Sequence, residues 1–91
     1  MKAIVFGTGK QFELHKHIIW ADFEVVGLVD NDMRKWGSVI EGIEVKSVES
    51  IFEMEYDVVV VAMQTHNSLE ARRQLEKMGI SCEKMRFYAP C

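Results

Sequence analysis

The sequence predicts an α/β fold: a parallel sheet of four or five strands, ordered 3-2-1-4 with a terminal strand beside the fourth, between helical layers in a three-layer sandwich. Three observations predict it. Short apolar runs suited to strands buried on both faces alternate along the chain with segments of helical spacing. A glycine-flanked turn follows the first run directly. The run Val58-Val59-Val60-Val61 sets four β-branched residues together, and these pack well on a pleated surface and poorly in a helix. Strands alternating with helices favour parallel pairing through right-handed crossovers, and that handedness sets the strand order.

Each element follows from its own residues. Ala3-Ile4-Val5-Phe6, stopped by Gly7-Thr8-Gly9, reads as strand one. Residues 10 to 20 carry Phe12, Leu14, Ile18, Ile19 and Trp20 among polar residues and read as a helix covering that strand. Glu24 to Val29 is strand two, ended by Asp30-Asn31-Asp32, which prefer turns and caps. Asp32 caps one helical turn, Met33 to Trp36, closed by Gly37, and Ile43-Glu44-Val45 forms a short third strand at the sheet edge. Ser47 caps a short helix from Val48 to about Met54, with Val48, Ile51 and Phe52 toward the sheet. Val58 to Ala62 is the central fourth strand. The next helix starts at Ser68, because Asn67 with Glu70 three residues on is a variant of the capping box; Ala71, Leu75 and Met78 form its inward stripe and Gly79 stops it. Lys84 to Tyr88 adds the last strand.

Composition narrows the classes. With 91 residues, 48% hydrophobic and 27% charged, the chain builds one core and reads as a single domain over residues 1–91. A formal charge of −3 provides no long-range basic field, so nucleic acid is not expected as a partner and any small anion must be held locally. The apolar runs fall far short of the ~20 residues that cross a bilayer. Without a secretory signal pattern at the amino terminus, a cytoplasmic setting is expected, with Cys82 and Cys91 as free thiols.

The chemistry points to one edge of the sheet. Gly7 and Gly9 stand after a strand and before a helix, the context in which a glycine pair holds phosphate. Gly7 permits the tight turn, Gly9 lets a pyrophosphate approach the backbone, and the amides at Lys10 face the anion. Phe12 stands where the third glycine of a dinucleotide fingerprint belongs. Asp30, 23 positions after Gly7, sits where an acidic side chain accepts ribose hydroxyls, with Asn31 beside it, and its charge opposes a 2′-phosphate. Gln64 and His66 follow the central strand and reach the same carboxyl edge. Asp30-Asn31-Asp32 is no calcium loop, since Arg34 and Lys35 fall where a ligand and a glycine belong. His15 and His17 are two apart on a helix and point away from each other, so no metal is expected. No catalytic residue is assigned.

The runs Lys2 to Gly9, Val26 to Asp32 with Lys35-Trp36-Gly37, Gly42 to Val45, and Tyr56 to Ala62 together resemble the Rossmann-like nucleotide-binding domains of bacterial enzymes of capsule, O-antigen and other surface-glycan synthesis. Such domains stand at the amino end of nucleotide-sugar dehydratases and sugar acetyltransferases, join some glycosyltransferases and methyltransferases, and are related to CoA-binding domains. The likeness covers residues 2 to 80. It implies that Gly7, Thr8 and Gly9 meet phosphate and that Asp30 meets ribose or another polar group of the ligand. The implied cofactor is NAD, with a nucleotide-sugar or CoA as alternatives. Three functions are consistent with this reading: a nucleotide-binding module of glycan or nucleotide-sugar metabolism; the cofactor half of a sugar-nucleotide dehydratase or oxidoreductase, the chain then being a piece of a longer enzyme; and an interaction domain with an unused pocket. A homodimer, or a fused or associated glycan-synthesis enzyme, is expected to cover the sheet edge around Phe87 and Tyr88.

Overall fold

The computed structural model describes residues 1–87; Tyr88, expected in the last strand and at a dimer contact, and Cys91 lie outside the described residues. In chain order the elements are β1 (Lys2–Phe6), α1 (Lys10–Asp22), β2 (Glu24–Val29), a 3₁₀ turn (Met33–Lys35), β3 (Val39–Ile40), β4 (Ile43–Lys46), a longer 3₁₀ segment (Val48–Glu53), β5 (Val58–Val61), α2 (Thr65–Lys77), a third 3₁₀ turn (Cys82–Lys84) and β6 (Met85–Phe87). The sheet order is β3-β4-β2-β1-β5-β6. Five strands are parallel, with β1 between β2 and β5 and with β4 and β6 outside them.

The sheet departs from the expected parallel sheet of four or five strands. Over the described residues it has six strands and is mixed, because β3 pairs antiparallel with β4. The two-residue connection Glu41-Gly42 takes φ of 51° and 80°, the left-handed pair that matches the twist of a tight hairpin. The strand expected at the edge, β4, is thereby covered, and two-residue β3 becomes the edge.

Alternation along the strands builds two cores. Ala3 and Val5 of β1 join Val58 and Val60 of β5 on the face that α1 covers with Phe12 and Ile19. Ile4, Phe6, Val59 and Val61 face the other way, under Ala71 and Leu75 of α2 and Val48 and Ile51 of the 3₁₀ segment. The three-layer arrangement follows from this two-sided burial. Phe12 stacks edge-on against Trp20, ring centroids 6.0 Å apart, so a buried ring fills the place where a third glycine would let helix and strand close up. Phe52, expected toward the sheet, is exposed, as are Leu14 and Ile18 of α1.

Two helix boundaries also differ from expectation. The segment after Ser47 is 3₁₀ rather than α, and the Ser47 side chain caps nothing; its carbonyl accepts from Ser50 Oγ at 2.6 Å. Helix α2 starts at Thr65, with Gln64 rather than Asn67 at its cap position. Ser68 is drawn inside the helix, where its hydroxyl donates to Met63 O at 3.1 Å. At the far end Gly79 N–H bonds Glu76 O and Ile80 N–H bonds Leu75 O, a Schellman closure in which Ile80 packs with Leu75 in the core.

Candidate functional site

Parallel strands β1, β2 and β5 end at one edge, and the chain leaves β1 toward β2 on one side while β5 lies on the other. Such a switch point opens a crevice at the carboxyl ends of the strands. A cleft of about 490 Å³ occupies it. Its floor is Phe6, Gly7, Gly9 and Ala62. One wall carries Asp30, Asn31, Asp32 and Lys35; the other carries Met63, Gln64, Asn67, Glu70 and Gln74, with Lys10 and Gln11 at the start of α1.

The two glycines serve different ends. Gly7 has φ of +105°, and a side chain there would stand 2.9 Å from the Ala62 carbonyl; the fold itself requires glycine. Gly9 has φ of −91°, outside the left-handed region. A side chain at Gly9 would meet only the Lys35 ammonium, at 3.4 Å. The missing side chain therefore opens space in the cleft beneath Lys35. Gly9 is also the amino cap of α1 and offers no side-chain bond to it, leaving the first-turn amides for another acceptor.

Asp30 is the hub of the opposite wall. Its Oδ2 accepts from Thr8 N–H at 2.9 Å and from Thr8 Oγ1 at 2.8 Å, and its Oδ1 accepts from Asp32 N–H at 2.9 Å. A carboxylate has about four acceptor positions, so three are taken and one, on Oδ1, is left for a ligand hydroxyl. Thr8, buried against Asp30, faces this carboxylate instead of the cleft. Beyond Asp30 the loop folds on itself. Asp32 accepts from Arg34 N–H and forms a two-pronged pair with its guanidinium, both contacts 3.0 Å; this pair holds the Asp32 carboxyl below its ordinary value. Trp36 Nε1 donates to Asp30 O at 2.8 Å. Arg34 is thus spent on Asp32, and Lys35 is turned toward Asp30 and Gly9, its Nζ 3.9 Å from Asp30 Oδ2.

The structure brings Gly7, Gly9, Lys10, Asp30, Asn31 and Gln64 to one cleft. It does not bring His66 there; His66 is exposed on the first turn of α2. Asn31 exchanges two bonds with Gln74, 2.8 and 3.0 Å, and so ties the end of β2 to α2. Sequence reasoning missed Gln11, Lys35, Glu70 and Gln74. The only signal for Lys35 was its place in the turn that Asp32 caps, and for Gln74 its helical spacing from Asn67 and Glu70.

Residues 1–86 match the family model described as C2185-like, N-terminal. The chain belongs to the C2185-like N-terminal family. No curated protein matches this C2185-like chain in sequence. Among solved structures, RSP, a Rex-family repressor, is similar at 17% identity and a TM-score of 0.66, over 99% of this chain and 52% of that one. RSP in complex with β-NAD⁺ and operator DNA gives a TM-score of 0.68 at 17% identity, over 98% and 50%. UDP-D-quinovosamine 4-dehydrogenase from Vibrio fischeri gives 0.65 at 15% identity, over 87% and 72%. These likenesses show a Rossmann-like fold, and the C2185-like chain spans about half the length of the repressor.

One expectation is overturned here. Net charge argued against nucleic acid as a partner, yet a repressor half of which has this fold is held in a complex with operator DNA. The physical reason is that net charge describes only the field of these residues; it sets no limit on what a protein containing such a fold can bind. For the membrane, the described residues contain no helix long and apolar enough to span it.

Proposed function

We propose that this C2185-like domain is a nucleotide-binding module that takes NAD or a nucleotide-sugar in the cleft at the ends of β1, β2 and β5. The observation that carries the reading is Gly9: a side chain there would reach only the Lys35 ammonium, and its bare Cα opens the cleft floor at the uncapped start of α1. Phosphate on those amides and a ribose hydroxyl on the free position of Asp30 Oδ1 would use Gly7, Gly9, Lys10 and Asp30 together, with Asn31 and Gln64 on the walls. The neighbours support the choice of ligand, since RSP is described with β-NADH and with β-NAD⁺ and the third neighbour is a UDP-sugar dehydrogenase. Bacterial surface-glycan or nucleotide-sugar metabolism is the setting we propose, on the sequence resemblance and on that dehydrogenase. Self-association through the β6 edge, where Phe87 is 44% exposed, belongs to the same proposal.

A second reading, the cofactor-binding portion of a longer oxidoreductase or sugar-nucleotide dehydratase, is supported by the likeness in fold to a UDP-sugar dehydrogenase. Mass spectrometry of nucleotide released on denaturing freshly purified protein tests the site. NAD or a UDP-sugar in the released fraction supports it. Protein that releases no nucleotide and binds neither NAD nor UDP-sugars on titration would leave the fold as an interaction domain.

A further inference from the structure

We infer that Lys35 is a phosphate-recognition residue, and that the cleft grips its ligand's pyrophosphate between the Lys35 ammonium above Gly9 and the first-turn amides of α1. The inference deepens the nucleotide reading and rests on it for the rest of the ligand. Three observations carry it. Lys35 Nζ lies 3.4 Å from the point that a Gly9 side chain would occupy, directly over the bare stretch of floor. The other cation of that turn, Arg34, is held by Asp32 through two 3.0 Å contacts, whereas Lys35 has only a loose approach to Asp30 Oδ2 at 3.9 Å. On the same cleft wall, in the first turn of α1, the Gln11 carboxamide oxygen is buried and lacks a hydrogen-bond partner among the described residues. An isolated buried acceptor costs free energy unless a donor reaches it, and a ligand hydroxyl or bound water beside the phosphate would supply one.

The cations lining the cleft are Lys10, for which no ion pair is found among the described residues, and Lys35, whose ion pair to Asp30 is long. Of the cleft's carboxylates, Asp32 is paired with Arg34, Asp30 is engaged by Thr8 and Asp32, and Glu70 stands on the α2 wall. A pyrophosphate lodged over Gly9 would replace the long contact to Asp30 with charge-assisted hydrogen bonds, which are among the strong ones. Lys35, 37% exposed in its side chain, packs in no core, so its replacement tests recognition rather than folding.

The test is titration of ¹⁵N-labelled protein with inorganic pyrophosphate and then NAD, at low and high salt, for the unsubstituted chain, Lys35→Met and Lys35→Arg. The amides of Gly9, Lys10 and Gln11 should shift with pyrophosphate. Lys35→Met should weaken binding about tenfold and flatten its salt dependence, while Lys35→Arg stays close to the parent. In the unsubstituted protein the Lys35 Nζ resonance should move with the same midpoint, a readout that needs no variant. Pyrophosphate that leaves those amides unmoved, or that Lys35→Met binds as tightly as the parent or more tightly, overturns the inference. NAD binding that ignores Lys35 would sink it and leave the nucleotide reading intact. Lys35-dependent pyrophosphate binding without affinity for NAD or UDP-sugars would do the reverse.

Discussion

Gly7 and Gly9 are two positions apart and look alike in the sequence, but the space around each differs. At Gly7 a side chain collides with the backbone of Ala62 and the φ is left-handed; at Gly9 neither holds. Gly7→Ala should therefore lose about 2 kcal/mol or more of stability, while Gly9→Ala should stay within about 0.5 kcal/mol of the parent yet lose nucleotide affinity. Urea unfolding beside ligand titration separates the two. Asp30 serves the fold as well as any ligand, because three donors converge on a carboxylate only 14% exposed. Asp30→Ala should cost roughly 2 to 4 kcal/mol in the ligand-free protein, since the Thr8 amide and hydroxyl then both lose their acceptor; an unchanged urea midpoint would show that the hub is not used. Asp32 offers a pH test. The hydrogen bonds from Arg34 hold its carboxyl below the ordinary value, so the pair's contribution is present above the unfolded value and is lost as pH falls through the lowered one. A carboxyl NMR titration of Asp32 should give a midpoint below that of Asp32 in Arg34→Gln.

The elements divide by how local their causes are. Helix α2 is stopped within its own sequence by the Gly79 closure, and Leu75 and Ile80 bury together beneath it. Leu75→Ala should cost about 2 to 5 kcal/mol, the loss of a fully buried leucine. Phe52, with similar apolar character but 64% exposed, should cost less than about 0.5 kcal/mol when replaced by alanine. Equal effects in chemical denaturation would contradict the burial pattern. The hairpin of β3 and β4 escaped the sequence reading because two residues are too short a run for alternation to register. Its signal was the turn chemistry of Glu41-Gly42 between two isoleucines.

At the scale of the molecule, binding should show as stability. If the cleft takes NAD with a dissociation constant near 100 μM, then 1 mM NAD adds about 1.4 kcal/mol and raises the melting temperature of a domain this size by roughly 6 to 11 °C. Differential scanning calorimetry checks it, with Gly9→Val expected to remove the shift. The Rex-family neighbour carries a lesson at the same scale. A net charge of −3 describes the field of these residues alone, and a repressor twice as long shows this fold in company with DNA.

What the sequence determined by itself was whatever rests on neighbours along the chain. The β-branched run of β5, the glycine turn before α1, the Asp32 cap and the Gly79 stop each depend on a few consecutive residues, and together they specified alternating strands and helices, and so parallel pairing at the core of the sheet. The tertiary structure alone decided which polar groups meet. Thr8 and Asp30 are 22 positions apart and Asn31 and Gln74 are 43, and Lys35 reaches Gly9 only because the Trp36 indole folds its loop back on the end of β2. Side-chain direction follows from the path of the backbone through space. For that reason the pattern of residues could mark the edge at which a ligand would bind, but not that Thr8 would turn to Asp30, that His66 would stand outside the cleft, or that Lys35 would stand over its floor.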